Sequence, residues 1–320
     1  MILYFVILLL FVLIVNAILI DKYKWKQNTK KVYLPRYNGN VGKNRRIFVS
    51  VASYRDVECT NTIHDMFTKA SHPERVFVGL IQQNKSTDPD CVVDPKYAPN
   101  VRRMNLKHTQ AKGPCYARYL ASCLYRGEEF FFQIDSHTKF NKGWDTDLIA
   151  MINELPPKSV ISNYPVSWDD DRNNPNVPKF PTVRKYARYY TFNPVFSDMK
   201  TKHEKHLGSS GCMLFMRGEA LIAVPFDSEL DWVFDGEEFL YSARLFSHGY
   251  DFYRPTKNVV YHFFGREDHP KFWNDMRRER SRSNPTGTVH KRMDYPPVGY
   301  FGPERTLSEY MDLLEKNVSK

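Results

Sequence analysis

The chain has 320 residues, of which 42% are hydrophobic and 26% charged, and its formal net charge is +10. This composition is typical of a globular protein with one large domain or two small ones. The chain lacks the basic helix and the aromatic–basic alternation of a nucleic-acid reader, which argues against that class. The odd number of cysteines, five, rules out complete internal pairing. Buried thiols, and one or two bridges beside a free thiol, both remain open.

The first segment with a clear physical character is Met1–Ile20, which is apolar except for Asn16. Twenty helical residues reach about 30 Å, the thickness of the hydrocarbon core of a bilayer. No Lys or Arg precedes this run and no small-residue cleavage site follows it, so we expect an uncleaved membrane anchor. Residues 21–45 are polar and basic, and we expect them to form a stem.

An ordered pattern begins at Arg46 and predicts strands that alternate with helices. In chain order we expect a strand at 47–52, a helix at 58–70, a strand at 75–81, a helix at 117–125 and a strand at 129–134. Such alternation is typical of an α/β fold with a mostly parallel sheet covered by helices. Ligands bind at the carboxyl ends of strands in such sheets, and Asp135 lies at one of those ends.

The second half of the chain is less regular. Residues 163–206 contain five Pro and show little periodicity, which predicts a long ordered excursion of the kind that often binds substrate. Beyond it we expect a strand around 212–215, a helix at 235–246 and a strand at 259–264. The predicted organisation is therefore an anchor at 1–20, a stem at 21–45 and an α/β domain at 46–320.

The sharpest motif is Asp135-Ser136-His137, which directly follows a predicted strand. The strand end offers a carboxylate and an imidazole two positions apart, and both can turn toward one point. Oxygen plus one imidazole suits Mn²⁺ better than Mg²⁺, so the pair predicts a divalent metal site. His262, in the late strand, is the candidate third ligand. A surface histidine after a strand end and a satisfied core histidine are the structural alternatives.

Two further segments place charge at a turn or a helix start. Asp235-Gly236-Glu237-Glu238 puts three acids where a helix is expected. They either stabilise the helix dipole or hold a ligand, which Gly236 would allow to approach the backbone closely. Ala111-Lys112-Gly113-Pro114, followed by Arg118, places a turn and a cation before a helix. That arrangement suits a phosphate, although a plain turn explains it as well.

Together these motifs resemble a known family, the GlcNAc-transferases typified by the enzymes that glycosylate hydroxyproline on the Skp1 protein. More distantly, the chain is similar to the polypeptide GalNAc-transferases, which have an Asp-Ser-His metal motif and an acidic Gly-Gly-Glu-Asn segment. The resemblance extends from roughly Ile47 to Arg266, and its order and spacing make it more specific than any single motif. It rests on Phe48–Asp56, Gly113-Pro114 with Ala117-Arg118, Gln133–His137 and Gly143-Trp144-Asp145.

The resemblance implies a GT-A fold, a UDP-sugar donor, a divalent metal and retention of configuration at the anomeric carbon. Glu237 would match the acidic residue of the Gly-Gly-Glu-Asn segment, but the surrounding residues differ and leave the identity of the sugar open. The site residues expected are Asp135, His137 and His262 for the metal; Ser53, Arg55, Gly113, Arg118, Asp135 and Gly211 for the donor; and Asp235, Glu237 and Glu238 for catalysis.

The activity expected is metal-dependent transfer of a sugar, GlcNAc by the resemblance, to a Ser/Thr or hydroxyproline hydroxyl of a protein. A metal-dependent hydrolase that uses Asp135, His137 and His262 is one alternative. A membrane-tethered binding module with an inactive transferase fold is another. The basic stem favours a cytoplasmic domain, whereas most membrane-anchored glycosyltransferases face the secretory lumen, so the side of the membrane stays open.

Overall fold

The computed structural model describes Val15 and residues 31–32, 34–168, 179–186, 188–196 and 201–318. Leu34–Lys320 is one compact unit and Met1–Tyr33 is another, of which Val15, Lys31 and Val32 are described. The anchor predicted at 1–20 lies, apart from Val15, outside the described residues, and so does the first part of the stem. Within the described part of the chain, no helix has the length and apolar character needed to span a bilayer.

A mixed sheet of eight strands forms the centre of the domain. The described strands are β1 Ile47–Tyr54, β2 Val76–Asn84, β3 Val101–Lys107, β4 Phe130–Asp135, β5 Thr138–Phe140, β6 Ser159–Ser162, β7 Val166–Ser167, β8 Lys179–Tyr186, β9 Tyr189–Phe196, β10 Lys205–His206, β11 Met213–Arg217, β12 Asp251–Tyr253 and β13 Val260–His262. The order in the large sheet is β10-β12-β6-β11-β4-β1-β2-β3. Four of its seven ladders are parallel, and the three formed by β10 and β11 are antiparallel.

Helices cover both faces of this sheet. The described α-helices are α1 Cys59–Lys69, α2 Pro114–Ser122, α3 Trp144–Asn153, α4 Gly218–Ala223, α5 Glu237–Ser247, α6 Phe272–Asp275, α7 Arg277–Ser283, α8 Pro285–Asp294 and α9 Leu307–Glu315. On one face, α1 and α3 pack on alternate residues of β1 and β4, with Phe132 fully buried between Trp144 and Phe215. On the other face, Phe48 and Phe131 contact Tyr125 and Phe226.

Two small sheets complete the domain. In one of them β13 lies between β5 and β7, and its strand β5 follows shortly after the end of β4. The other is the antiparallel hairpin β8–β9, which packs with α5, α8 and α9 around a second apolar cluster. Tyr189 and Phe239 stack at the centre of that cluster, with ring centroids 6.0 Å apart.

The predicted strands at 47–52, 75–81 and 129–134 are confirmed as β1, β2 and β4, because runs of apolar residues fill strands that are buried on both faces. The sheet is mixed, since β11 enters between β4 and β6 in the opposite direction. The excursion expected at 163–206 contains the hairpin β8–β9, where Pro181 lies opposite Pro194. Proline cannot donate a hydrogen bond to a strand ladder and is therefore largely confined to edge strands and bulges. For this reason the alternation of apolar and polar residues did not predict two paired strands that each contain a proline.

A disulfide joins Cys59 at the start of α1 to Cys91 in the loop before β3. Cys115, Cys123 and Cys212 are free thiols. The sequence left the pairing open, and the structure resolves it as one bridge and three thiols.

We expect unreduced, unfolded protein to react with three equivalents of a thiol reagent, and fully reduced protein with five, because one bridge holds Cys59 and Cys91. Replacing both bridged cysteines by Ala should lower the free energy of unfolding by about 3–4 kcal/mol, because the unfolded chain is then no longer closed into a loop and has more conformational entropy. Guanidinium denaturation measures this, with Cys123→Ala as the unbridged control. Five reactive thiols before reduction would contradict the bridge.

Candidate active site

Three potential metal ligands converge where β4 ends. Asp135 is the last residue of β4, and the ladder between β5 and β13 brings His262 beside His137. Oδ2 of Asp135 lies 3.0 Å from Nε2 of His262 and 3.8 Å from Nε2 of His137. One ligand atom from each residue lies within 4.8 Å of the others. The grouping predicted from the sequence is therefore present in the fold.

A fourth residue, Asp56, orients this cluster from behind. Its buried Oδ2 accepts hydrogen bonds from Oγ of Ser136 at 2.6 Å and from Nδ1 of His137 at 2.7 Å, and Nη2 of Arg266 lies 3.1 Å away. Burial raises the pKa of Asp56, but the hydrogen bond from His137 and the charge of Arg266 outweigh it, and the net pKa is lowered. A proton on Nδ1 of His137 leaves Nε2 to face Asp135 as a neutral donor atom.

The donor set fits a divalent cation. A carboxylate and two imidazoles bind a metal in their ionised and neutral forms respectively. Burial lowers the pKa of His262, which favours the neutral ring. Burial opposes ionisation of Asp135, but the hydrogen bond from His262 and the charge of Arg118 outweigh it and lower the pKa of that carboxyl. Asp135 is thus held as the carboxylate, and the ring of His262 is held uncharged.

The guanidinium of Arg118 links this cluster to the acidic segment. Nη2 lies 3.2 Å from Oδ1 of Asp135 and donates to the Gly211 carbonyl at 3.0 Å, while Nη1 lies 2.6 Å from Oε1 of Glu237. Burial alone would lower the pKa of Arg118, but Glu237 and Asp135 raise it, so the cation is retained. A Cβ added to Gly211 would lie 3.0 Å from this guanidinium, so any larger residue there would have to displace it.

The acids of 235–238 have different surroundings. Gly236 has a φ of 91° and precedes α5, so the chain turns sharply as the helix begins. Glu237 pairs with Arg118, and Glu238 accepts from the Gly211 amide and from the Tyr164 hydroxyl, each at 2.5 Å. Asp235 is exposed. Two of the three carboxylates therefore organise the site from within, and Asp235 alone is open to solvent.

Two clefts meet at Arg118 and Asp135. We name the first the metal cleft; it has a volume of about 320 Å³ and is lined by the three candidate ligands, Gly113, Pro114, Arg266 and the aromatic side chains Tyr54, Phe272 and Trp273. The second, the hairpin cleft, has a volume of about 440 Å³ and is lined by residues of β8, β9 and Asp235–Phe239. Arg118 and Asp135 therefore belong to the lining of both clefts.

Two of the predicted donor residues lie differently from the rest. Ser53 is buried within β1 and is absent from the lining of the metal cleft. Arg55, with a φ of 49°, points its guanidinium at Asp88, with Nε 2.8 Å from Oδ2, and at Asp275, with Nη1 2.7 Å from Oδ2. Its ion pair with Asp275 holds α6, which contains Phe272 and Trp273, next to the end of β1. Their predicted roles toward the donor stay predictions.

Sequence reasoning missed Asp56, Arg266 and Tyr164. Asp56 had a readable signal, because it follows the end of β1, the strand parallel to β4, and so lies at the same edge of the sheet as Asp135. Arg266 and Tyr164 had none, since their contacts depend on how β13 and β7 return to that edge.

Comparison with known proteins gives one family match and several structures of similar fold. The family model described as Glycosyltransferase (GlcNAc) matches residues 46–101 and 96–296, which is most of the chain. No curated protein matches. Identity to three solved structures is below 20%, so these likenesses bear on the fold alone.

Among solved structures, GalNAc-T7 with UDP, GalNAc and Mn²⁺ is 13% identical, with a TM-score of 0.56, and the match covers 88% of this chain and 58% of that one. S. aureus TarS in complex with UDP-GlcNAc is 15% identical, with a TM-score of 0.52 and coverage of 85% and 71%. A further TarS structure is 19% identical, with a TM-score of 0.48 and coverage of 68% and 60%. The chain thus spans about three fifths of two of these proteins. The α/β fold of GT-A type is confirmed.

We expect Asp56→Asn to weaken Mn²⁺ binding about 10- to 100-fold, because an amide cannot hold the Nδ1 proton of His137 as a carboxylate does. Electron paramagnetic resonance of free Mn²⁺, without any sugar donor, measures the affinity. Asp88→Asn is the matched control, since Asp88 is bonded to Arg55 rather than to a candidate ligand. Equal affinity in Asp56→Asn and the wild type would contradict an orienting role.

Glu238 should make stability depend on pH. Burial raises its pKa to about 7 against the hydrogen bonds from Tyr164 and Gly211, compared with an ordinary value of 4.5. The folded state therefore binds the proton more tightly, and the stability that this provides is lost as the pH rises from about 4.5 through 7. The loss relative to Glu238→Gln should reach about 3 kcal/mol. Urea denaturation of both proteins from about pH 5 to 8 measures it; a constant difference between them would refute the shift.

Proposed function

We propose a reaction for this chain, which belongs to the GlcNAc glycosyltransferase family: transfer of a sugar from a UDP-sugar to a protein hydroxyl. The observation that carries the proposal is the convergence of Asp135, His137 and His262 beside the Arg118 cation, at the wall shared by two clefts. GlcNAc is our first candidate for the sugar, and a Ser/Thr or hydroxyproline hydroxyl for the acceptor, as in the Skp1-type enzymes that the sequence resembles.

We assign the donor to the metal cleft. GalNAc-T7 and TarS have been crystallised with UDP and UDP-GlcNAc respectively, and these complexes support a uridine nucleotide as the ligand of this cleft. Tyr54, Phe272 and Trp273 offer aromatic surfaces to a base, and Gly113 at the start of α2 lets a diphosphate approach the backbone. The diphosphate would then reach Arg118 and the three candidate ligands.

Asp135, His137 and His262 would hold a divalent ion, with Mn²⁺ favoured by the mixed oxygen and nitrogen donors. When bound, such an ion neutralises the charge that develops on the departing nucleoside diphosphate. Asp56 keeps His137 turned toward that position, and Asp135 remains ionised.

Arg118 would stabilise the leaving diphosphate from the protein side. It is already fixed by Asp135, Glu237 and the Gly211 carbonyl, so little reorganisation is needed when charge develops. Asp235 and the backbone around Gly236 face the hairpin cleft, where the acceptor hydroxyl and the donor sugar would meet. Attack on the sugar from the face of the leaving group, with the phosphate taking the acceptor proton, retains configuration and needs no nucleophilic side chain. Membrane attachment through Met1–Ile20, on a side still open, remains part of the proposal.

The test is a screen of UDP-sugars with the purified chain lacking residues 1–20, with and without Mn²⁺, following release of UDP. One donor should be turned over in a metal-dependent manner, and Asp135→Ala should lose most turnover while its thermal unfolding stays cooperative. Asp147→Ala is the control, because Asp147 is a partly exposed acid that is paired with Lys257.

The outcomes of the screen separate the alternatives. UDP release that yields free sugar at the same rate with every acceptor would indicate a hydrolase. Neither turnover nor binding of any UDP-sugar with metal present would overturn the proposed function and favour a binding module.

A further inference from the structure

The hairpin cleft has a distinctive distribution of charge. Residues 179–196, which form β8 and β9 with their turn, contain four cations and no acid. Lys185 is paired with Glu315 at 3.0 Å and Arg188 with Asp294 at 2.6 Å. Arg184 lines the cleft and is exposed, and it has no ion pair or hydrogen bond among the residues that the structure describes. Among the hairpin side chains that the structure describes, Arg184 is therefore the cation that lines the cleft without an ion pair to another described residue.

The opposite wall does not neutralise that cation. Glu237 is bonded to Arg118, and Glu238 to the Gly211 amide and the Tyr164 hydroxyl. Asp235 lines the same cleft, but it forms no ion pair with Arg184. A ligand that enters the cleft thus meets an open guanidinium on the hairpin side, next to the exposed ring of Tyr186.

We propose that Arg184 binds a carboxylate of the acceptor, so that the acceptor is an acidic peptide segment with its receiving hydroxyl directed toward Asp135. The inference rests on the proposed function and adds to it the chemical class of the substrate. A guanidinium presents paired N–H donors that match the two oxygens of a carboxylate, and Tyr186 supplies flat contact area for the rest of an extended chain. The volume of the hairpin cleft, about 440 Å³, is large enough for several residues of a peptide.

The experiment compares three peptides that share one acceptor hydroxyl and carry Glu, Gln or Lys beside it, using the UDP-sugar that gives turnover. With wild-type protein, the KM for the Glu peptide should be about 5- to 30-fold lower than for the Gln peptide, the factor expected of one or two charge-assisted hydrogen bonds. Arg184→Gln should remove the difference, Arg184→Lys should restore part of it, and Arg184→Glu should favour the Lys peptide.

Lys185→Gln is the matched control, because it removes the same charge from the neighbouring position, where Glu315 already compensates it. It should keep the preference for the Glu peptide. A Glu preference that survives in Arg184→Gln, equal KM values for the three peptides in the wild type, or transfer to a phosphate-bearing polymer in preference to every peptide would each overturn the inference.

Failure of this inference can be distinguished from failure of the proposed function. Release of UDP with water as acceptor reports on the donor reaction alone. Metal-dependent transfer of the sugar to all three peptides at equal KM would refute the acidic acceptor and leave the transferase standing, whereas no release of UDP from any donor would refute both.

Discussion

The arrangement of the site depends on one buried cation, the guanidinium of Arg118. A buried charge is stable only when it is paired and hydrogen-bonded, and Arg118 obtains its partners from three parts of the chain: the end of β4, the start of α5 and the peptide at Gly211. Arg118 and Asp135 line both clefts, and Gly211 and Glu237 line the hairpin cleft. The requirement that stabilises the fold here also fixes the distance between the carboxylate of the metal cluster and the acids of the hairpin cleft, so that structure and chemistry are set by the same contacts.

The topology of the sheet explains why these residues meet at all. β1 and β4 run parallel in neighbouring positions, so the segments that follow them, with Asp56 and Asp135, emerge at one edge. The antiparallel ladder between β5 and β13 then returns His262 to the same edge, opposite Thr138. The three elements are separated along the chain by 81 residues for Asp56 and His137 and by 127 for Asp135 and His262. A site built in this way requires the complete domain, and no local segment of the chain contains it.

The difference between local segments and long-range pairing also explains how much of the fold and of the site the sequence predicts. Buried strands could be read from β1, β2 and β4, because each is apolar on both faces, and Asp135 with His137 could be read from its place after a strand. The third ligand was found through pattern and resemblance. Asp56 was missed, although its place after β1, the strand parallel to β4, gave a readable signal. The hairpin was read as an irregular excursion because Pro181 and Pro194 lie across from each other in the ladder. Local propensity thus gives the scaffold, and long-range pairing decides the geometry of the site.

The two clefts also differ in how their charges are compensated, and this difference bears on specificity. In the metal cleft, Arg118 pairs with Asp135, and Arg266 pairs with Asp56. In the hairpin cleft, Glu237 and Glu238 are bonded to Arg118, Gly211 and Tyr164, whereas the exposed Arg184 and Asp235 line the same cleft. Exposed charged groups contribute little to stability, so they can vary without loss of the fold. We therefore expect the residues of the hairpin to determine which acceptor binds. We expect the buried residues that line both clefts to determine the chemistry of the donor.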